Sequence, residues 1–272
     1  MKSFKEKVAV ITGAGSGIGR SLALQLNQEG AFLALADIDV ENLARSRNLL
    51  VQDSRVSLHT VDVSNRKRMA EFADEVIAEH GQVDILINNA GITLTPTVFE
   101  DISELDFEKV IDVNMWGVYY GIREFIPHLQ SRPEAVIVNM SSLAGLVGLY
   151  GYSPYAMSKF AIRGLTESLQ SELSGSNISI LIVHPGGVKT NIIRNAPDLT
   201  DEQQREEAHA LFTGAAGISP EKAARKILFA VKKNKRQLVF GTDAVIVNFI
   251  HGMFPGRFPG ILKAVFSRMS FK

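Results

Sequence analysis

The sequence predicts an α/β protein in which about seven parallel strands form a doubly wound sheet with helices on both faces. Short apolar runs alternate with segments of helical composition along most of the 272 residues. Most runs also end in Gly, Asn, Ser or Asp, which turn a chain beyond the carboxyl end of a buried parallel strand. Because one continuous sheet accounts for both observations, residues 1–272 are expected to form a single domain.

The first three strands are predicted at apolar runs that end in glycine or in an acid. Residues 8–12 enter a glycine cluster and residues 21–27 have helical composition, which predicts a strand, a loop and a helix in succession. The second and third strands are predicted at 31–36, ending at Asp37, and at 56–61, ending at Asp62.

Four further strands are predicted along the rest of the chain. They lie at 83–87 before the motif NNAG, at 135–140 before Ser141 and Ser142, at 178–183 before the motif HPGG, and at 237–240. Ligands of a doubly wound sheet bind beyond the carboxyl ends of its strands, so these motifs are expected to share one edge.

Composition excludes several classes of function. Lys plus Arg equals Asp plus Glu, 29 against 29, which lacks the positive charge of a nucleic-acid-binding protein. With no cysteine there is no disulfide, thiolate metal site or cysteine nucleophile, and the six histidines lack zinc-binding spacing. We therefore expect neither a nucleic-acid partner nor a metal site.

The start of the chain, MKSFKEKVAVITG, is predicted to be a first strand and not a signal peptide. It contains charged residues but no separate apolar region before a cleavage site. The absence of cysteine permits a reducing compartment. A cytoplasmic protein is expected, with association to a membrane surface as the open alternative.

The loop TGAGSGIG is a candidate phosphate-binding loop. Glycines at 13, 17 and 19 let the backbone approach a pyrophosphate closely, and the helix that follows presents free amides to anionic oxygens. Ser16 and Ile18 complete the loop.

Asp37 favours NAD over NADP as the cofactor. An acid about twenty residues after the loop can accept hydrogen bonds from the adenosine ribose, and it would repel a phosphate there. Ile38, and not a basic residue, follows it. Arg20 is the one cation nearby in sequence, and it either reaches this site or simply lies on the helix.

The stretch YAMSK is a candidate acid/base pair. Tyr155 and Lys159, four residues apart, share one face of a helix, so that the ammonium favours the ionised phenol, whose ordinary pKa is near ~10. Ser141 and Ser142 lie upstream at a strand end, where successive side chains point to opposite faces. Only one of the serines can face the site, and local physics does not select it.

In this order, TGAGSGIG, NNAG, Asn114, Ser142, YAMSK and PGG with Thr190 resemble the short-chain dehydrogenase/reductase family, in its single-domain branch, over about residues 5–240. The resemblance implies a tetrad of Asn114, Ser142, Tyr155 and Lys159. Its spacing selects the serine thirteen residues before the tyrosine. Tyr155 would exchange the proton of the substrate oxygen, and Ser142 would hydrogen-bond that oxygen. Lys159 would lower the tyrosine pKa and bind the nicotinamide ribose, while Asn114 would support a water chain.

The resemblance also implies the remaining cofactor contacts and a homodimer or homotetramer. Asp62 and Val63 would contact the adenine. NNAG, which also predicts a turn, would line the adenosine ribose with Asn89, Ala90 and Gly91. The nicotinamide end would be held by Pro185, Gly186, Val188 and Thr190.

The predicted reaction is an NAD(P)-dependent interconversion of a secondary alcohol and a ketone, on a hydrophobic substrate. Apolar residues near the site form either a pocket or core: Leu143, Leu146, Val147, Leu149, Tyr150 and Tyr152. Two alternatives remain open. One is a catalytically silent, dinucleotide-binding regulatory protein, and the other is a membrane-surface dehydrogenase of a lipid, steroid or retinoid.

Two segments extend this pattern. Residues 189–217 form a polar insert that is either a lid or a surface excursion, with a solvated helix expected at 198–207. Residues 241–272 form an apolar extension that Pro255 and Pro259 interrupt, so it cannot be one transmembrane helix. It is predicted to be a subunit interface, a wall of the substrate pocket, or a membrane-surface segment with Lys263, Arg268 and Lys272 at its polar edge.

Overall fold

A computed structural model describes residues 1–51, 55–253, 256 and 258. Its central feature is a parallel sheet of seven strands in the order β3-β2-β1-β4-β5-β6-β7. The strands β1 to β7 are Val8–Thr12, Phe32–Asp37, Val56–Thr60, Ile85–Asn88, Ala135–Met140, Ile178–Pro185 and Gln237–Phe240. The predicted doubly wound α/β sheet is confirmed.

Helices cover both faces of the sheet. The described helices α1 to α9 are Gly17–Gln28, Val40–Arg47, Arg66–His80, Glu104–Ile111, Gly117–Gln130, Ser153–Glu172, Glu202–Ala215, Pro220–Lys232 and Thr242–Met253. A π-helical turn, Asp112–Trp116, joins α4 to α5, and a short 3-10 turn, Leu143–Gly145, follows β5. None of the helices in the described ranges is both long and apolar enough to cross a membrane.

Two apolar clusters hold the layers together. On one face, Leu22 and Leu26 of α1 and Ile227 of α8 pack against strand residues. On the other face, Phe72 of α3 and Phe125 of α5 pack edge to face with their ring centroids 5.5 Å apart. Because both faces are buried, the central strands are mostly apolar, as β1 shows with five buried residues of which four are apolar.

The sheet order places the functional edge. Strand β1 pairs with β2 on one side and with β4 on the other, so the chain reverses its direction of winding at β1. A crevice forms beyond the carboxyl ends of strands at such a switch point. The loops after β1, β4, β5 and β6 all open into it, and they carry the sequence motifs.

The insert at 189–217 is tied to the body of the protein before its helix begins. Helix α7 starts at Glu202, with Asp201 as its capping residue. Asp198, which was expected on a solvated helix, precedes α7 and accepts hydrogen bonds from the amide and the hydroxyl of Thr95. The helix starts later than expected because Asp198 makes this long-range contact.

The C-terminal extension begins with α9. Val247 and Ile250 of this helix pack with Phe258 against Leu146 and Val147, which follow Ser142 in the chain. Most of the extension after Met253 lies outside the described residues. These contacts form a small apolar cluster beside the cavity, and Asp243 is the described residue of α9 that borders the cavity itself. The three interpretations of the extension stay predictions.

Candidate active site

The loop after β1 adopts left-handed backbone angles at two positions, where glycine is favoured. Gly13 and Gly17 have φ angles of +65° and +52°, which are strained for residues with a side chain. A Cβ at Gly19 would overlap the carbonyl oxygen of Gly13 and lie 2.6 Å from Nδ2 of Asn89. The loop can therefore fold back tightly over the start of α1.

The start of α1 keeps its amides available. Ser16 is the capping residue by position, yet its side chain makes no capping hydrogen bond. By contrast, α2, α3 and α4 are capped by the side chains of Asp39, Asn65 and Ser103. Free amides and the helix dipole together make this end of α1 chemically suited to an anion.

Asp37 lies at the end of β2 and faces the same loop. Its Oδ2 accepts a hydrogen bond from the Gly15 amide at 2.7 Å, and its Oδ1 accepts one from the Asp39 amide at 3.0 Å. Arg20 points to α2, where its Nε donates to Oγ of Ser46 at 2.9 Å and its guanidinium also donates to the carbonyl of Gly15. The guanidinium is thus engaged by the packing of α1 on α2.

The loops after β3 and β4 form the adjoining wall. Oδ1 of Asp62 accepts a hydrogen bond from the Ser64 amide at 2.9 Å, and Val63 is buried against Gly117. Asn89 donates from Nδ2 to the carbonyls of Thr12 at 3.0 Å and Gly13 at 3.1 Å. NNAG therefore ties β4 to the phosphate loop, in addition to lining the cavity with Asn89, Ala90 and Gly91.

Tyr155 and Lys159 lie one turn apart in α6. Nζ of Lys159 is 5.5 Å from the centroid of the tyrosine ring, and it donates to the carbonyl of Met140 at 3.1 Å. Only 3% of Lys159 is exposed, whereas Tyr155 is half-buried and borders the cavity. A Cβ at Gly91 would lie 3.3 Å from this Nζ, so glycine leaves room for the ammonium.

The pKa values of the pair are governed by burial. Burial lowers the pKa of Lys159 to about 8, so the amine is mostly protonated at neutral pH. Burial also raises the pKa of Tyr155, and a hydrogen bond from Ser142 opposes this rise. This direction differs from the expectation that Lys159 sets a low tyrosine pKa, because burial of the phenol is the largest influence and it raises the pKa.

The two serines have different roles in the structure. Ser141 is buried, and its hydroxyl donates to the carbonyl of Lys159 at 3.0 Å. Ser142 is half-buried, and its Oγ accepts from the Ala144 amide at 3.2 Å and lies beside Tyr155. The hydroxyl that acts on Tyr155 is therefore that of Ser142.

Asn114 is fully buried in the π-helical turn behind Gly91. Its Oδ1 accepts from the Ile92 amide at 2.8 Å, and its Nδ2 donates to the Ile92 carbonyl at 2.9 Å and to Ser158 at 3.1 Å. These bonds fix the chain after β4 against α6.

Two residues next to the site were missed by the motif analysis. Oδ2 of Asp243, in the first turn of α9, accepts from the Gly187 amide at 2.7 Å, and a Cβ at Gly186 would overlap its carboxylate. Nδ1 of His184 lies 3.0 Å from the Ser142 carbonyl oxygen. Both lie near the carboxyl ends of strands, His184 in the HPGG motif at the end of β6 and Asp243 shortly after β7, but the sequence gives no sign of the residues that they contact.

These loops enclose a cavity of about 1240 Å³. Gly19 and Asn114 lie behind its wall. The predicted residues that border it are Gly13, Ser16, Gly17, Ile18, Asp37, Asp62, Val63, Asn89, Ala90, Gly91, Ser142, Tyr155, Lys159, Pro185, Gly186, Val188 and Thr190.

The apolar residues of the site divide into pocket and core. Leu143, Leu149 and Tyr152 border the cavity, whereas Leu146 and Val147 are buried beside α9. Within the described part of the chain, no group of three or more His, Asp or Glu side chains is arranged to hold a metal ion. The site can hold a dinucleotide at one end and presents a phenol, an amine and a hydroxyl at the other.

Comparison with known proteins agrees with this arrangement. The family model described as short chain dehydrogenase matches residues 7–201. The chain is 42% identical over 254 residues to the putative oxidoreductase SadH of Mycobacterium tuberculosis, covering 92% of this chain and 91% of that one. It is 33% identical over 249 residues to FabG of Thermotoga maritima, a 3-oxoacyl-(acyl-carrier-protein) reductase, covering 89% and 98%.

A solved structure extends the similarity to the fold. A short chain dehydrogenase/reductase from Burkholderia phymatum in complex with NAD superposes with a TM-score of 0.85 at 28% identity. The match covers 93% of this chain and 95% of that one.

Proposed function

The chain belongs to the short-chain dehydrogenase/reductase family and is an oxidoreductase that uses a nicotinamide dinucleotide, and on that premise we propose that it interconverts a secondary alcohol and a ketone. The observation that carries the proposal is the placement of Tyr155 at the cavity wall, with the buried amine of Lys159 5.5 Å from its ring and Ser142 beside its hydroxyl. Absorbance of the reduced nicotinamide over a panel of secondary alcohols tests it. Cofactor binding without reduction on any of them would favour the silent regulatory protein.

The side chains of the site have distinct parts in this proposal. When bound, the nicotinamide ring takes up or supplies the hydride. Tyr155 accepts or donates the proton of the substrate oxygen, and Ser142 hydrogen-bonds that oxygen as charge develops on it. Lys159, protonated at neutral pH, stabilises the phenolate and binds the nicotinamide ribose. Asn114, held at both ends of its carboxamide by Ile92, supports a water chain that leads from Lys159.

The remaining cofactor contacts follow the walls of the cavity. The phosphate loop, with Gly13, Gly17 and Gly19, carries the pyrophosphate at the start of α1. Asp62 and Val63 contact the adenine, and the segment from Pro185 to Thr190 holds the nicotinamide end. The uncapped α1 terminus and the cavity lining support this arrangement.

NAD is the cofactor that we propose the enzyme prefers. The Asp37 carboxylate lies beside the loop, where a ribose phosphate would meet a like charge, and the nearby Arg20 guanidinium already donates to Ser46 and to the Gly15 carbonyl. An Asp37→Asn variant should raise kcat/KM with NADP about tenfold relative to NAD, or ~1.4 kcal/mol. Glu41→Gln, which removes an equal charge from the exposed surface of α2, is the control. An unchanged cofactor ratio in the Asp37 variant would contradict the preference.

The substrate is proposed to be hydrophobic, and the insert at 189–217 is proposed to act as its lid. Leu143, Leu149 and Phe212 border the cavity on this side. Helix α7 of the insert has no fully buried residue along its described length, so it covers the cavity without joining the core. This arrangement supports a mobile cover better than a core element.

We propose a homodimer or homotetramer in which α9 takes part. Val245, Ile246, Phe249 and Met253 form its outer face and are 50–68% exposed. An apolar face of this kind commonly marks a contact surface. Phe249→Asp should reduce the mass measured by light scattering, whereas Leu211→Asp, at an exposed position of α7, should not.

A different outcome of the Phe249→Asp experiment would support a membrane surface as the partner of α9. If Phe249→Asp keeps the parent mass but loses flotation with anionic liposomes, α9 contacts a membrane surface and not another subunit. If it changes neither property, the outer face is not a contact surface. Location in the cytoplasm stays a prediction from the sequence.

A further inference from the structure

His184 occupies an unusual position for a buried polar residue. It lies near the end of β6, is fully buried, and approaches the Ser142 carbonyl oxygen with Nδ1 at 3.0 Å. A carbonyl oxygen can only accept, so Nδ1 must carry the proton. In the neutral ring Nε2 is then bare, and this buried atom has no hydrogen-bond partner among the described residues.

The ring is neutral under ordinary conditions. Burial lowers the pKa of His184 to about 4, and the hydrogen bond to Ser142 opposes this only in part. The charged groups that face the ring are Arg163, which lowers its pKa further, and Glu167, which raises it. The Nδ1–H tautomer is therefore maintained throughout the neutral pH range.

The Ser142 carbonyl oxygen that His184 contacts already accepts another hydrogen bond, so it would not be left unpaired without the histidine. The Gly145 amide already donates to the Ser142 oxygen at 3.0 Å, within the short 3-10 turn. A leucine would fill nearly the same space as the imidazole without leaving a buried nitrogen unpaired, which destabilises a fold. Packing alone thus does not account for a histidine here.

The contact does complete the restraint of the two serines. The Ser141 amide donates to the Val183 carbonyl at 2.9 Å, and the Ser141 hydroxyl donates to the Lys159 carbonyl at 3.0 Å. Those bonds fix the residue before Ser142 to β6 and α6. The imidazole adds a bond from β6 to Ser142 itself, at the peptide group that determines where its hydroxyl points.

We propose that His184 is a positioning residue, which holds the backbone of Ser142 so that its hydroxyl stays directed at Tyr155 and the substrate oxygen. This inference rests on the proposed function of Ser142. It assigns no contact between His184 and the substrate. Loss of the bond should slow the chemical step, because small displacements of a hydrogen-bond donor at a developing charge reduce its effect strongly.

Two variants separate positioning from packing. His184→Leu keeps the bulk and removes the donor, whereas His184→Asn has an amide nitrogen at the same number of bonds from Cβ as Nδ1. In the panel assay, His184→Leu should lower kcat by about tenfold or more with KM for NAD changed by less than about twofold. His184→Asn should restore kcat to within about threefold of the parent. Parent-like kcat in the leucine variant, or equal losses in both, would overturn the proposal.

The free energy of unfolding, measured as a function of pH, also separates a positioning role from a packing role. The folded-state pKa is below the ordinary 6.5, so the stability tied to neutral His184 is present above pH 6.5 and lost as pH falls towards about 4. His184→Leu should be as stable as the parent at pH 7 and should lose less stability than the parent between pH 6.5 and about 4, although its kcat is lower. A leucine variant that is both slow and unstable at pH 7 would show that packing is the role.

A parent enzyme that oxidises none of the panel alcohols would refute the proposed function and not this inference. Hydrogen exchange of the amides at 143–147 then decides it. Faster exchange in His184→Leu with parent-like protection in His184→Asn supports positioning, and unchanged exchange in His184→Leu overturns it.

Discussion

A Tyr155→Phe variant should lose about a thousandfold or more of kcat in alcohol oxidation while it binds NAD like the parent. The change removes one hydroxyl from a half-buried ring of α6 and leaves the rest of the side chain in place. General acid/base groups contribute roughly 10²–10⁴ in rate, and this is the phenol that Ser142 hydrogen-bonds at the cavity wall. Steady-state kinetics with the best alcohol of the panel measures the loss, and NAD titration measures binding.

Tyr150→Phe is the matched control. Tyr150 is in the same segment, but it is an exposed residue outside the set that borders the cavity. Its variant should keep kcat within about twofold of the parent. If Tyr155→Phe oxidises the alcohol as fast as the parent does, the assignment of the proton to Tyr155 is wrong, and with it the proposed mechanism.

Gly19→Ala should weaken NAD binding by about a hundredfold or more. A Cβ at this position overlaps the Gly13 carbonyl oxygen. Gly13 has little room to move away, because it packs so closely on Ala90 that a Cβ built at position 13 would lie 2.8 Å from Ala90 Cα. The amides at the start of α1 would therefore lose their alignment with the pyrophosphate. Calorimetric titration with NAD measures the change, and thermal unfolding should remain a single cooperative transition.

Gly164→Ala separates this effect from a general effect of alanine in a helix. Gly164 lies on the exposed face of α6, where an added Cβ meets nothing within 4 Å. Its variant should bind NAD like the parent and gain about 0.5–1 kcal/mol in the free energy of unfolding. NAD binding by Gly19→Ala at parent strength would refute the predicted phosphate loop.

The central strands were predictable because each is a local, mostly apolar run that the sheet buries on both faces. The start of β4 was not, since it depends on a distant contact. The run was expected to begin at Val83, but the strand begins at Ile85. The Asp84 carboxylate binds the Val8 amide at 2.9 Å, and this contact is a product of the strand order.

The site shows the same difference between features with a local sequence signal and features that depend on distant contacts. The motifs and the family resemblance together named many of the residues that border the cavity, and these residues meet because the carboxyl ends of parallel strands lie at one edge. Asp243 is 56 residues from its partner Gly187, and His184 is 42 from Ser142, so neither pairing has a local signal. The direction of the Tyr155 pKa was also inaccessible, because burial is a property of the folded chain and not of a neighbour four residues away.

The first turn of α9 is bonded to the loop after β6 through Asp243, while the far side of the same helix is apolar and exposed. A chain cut after Phe240 would therefore lose both the Asp243 hydrogen bond that holds the cavity wall and the exposed apolar face of α9. If the outer face of α9 is the subunit contact proposed above, a partner bound there contacts the same helix that holds the Gly187 amide, and self-association and turnover are then expected to change together.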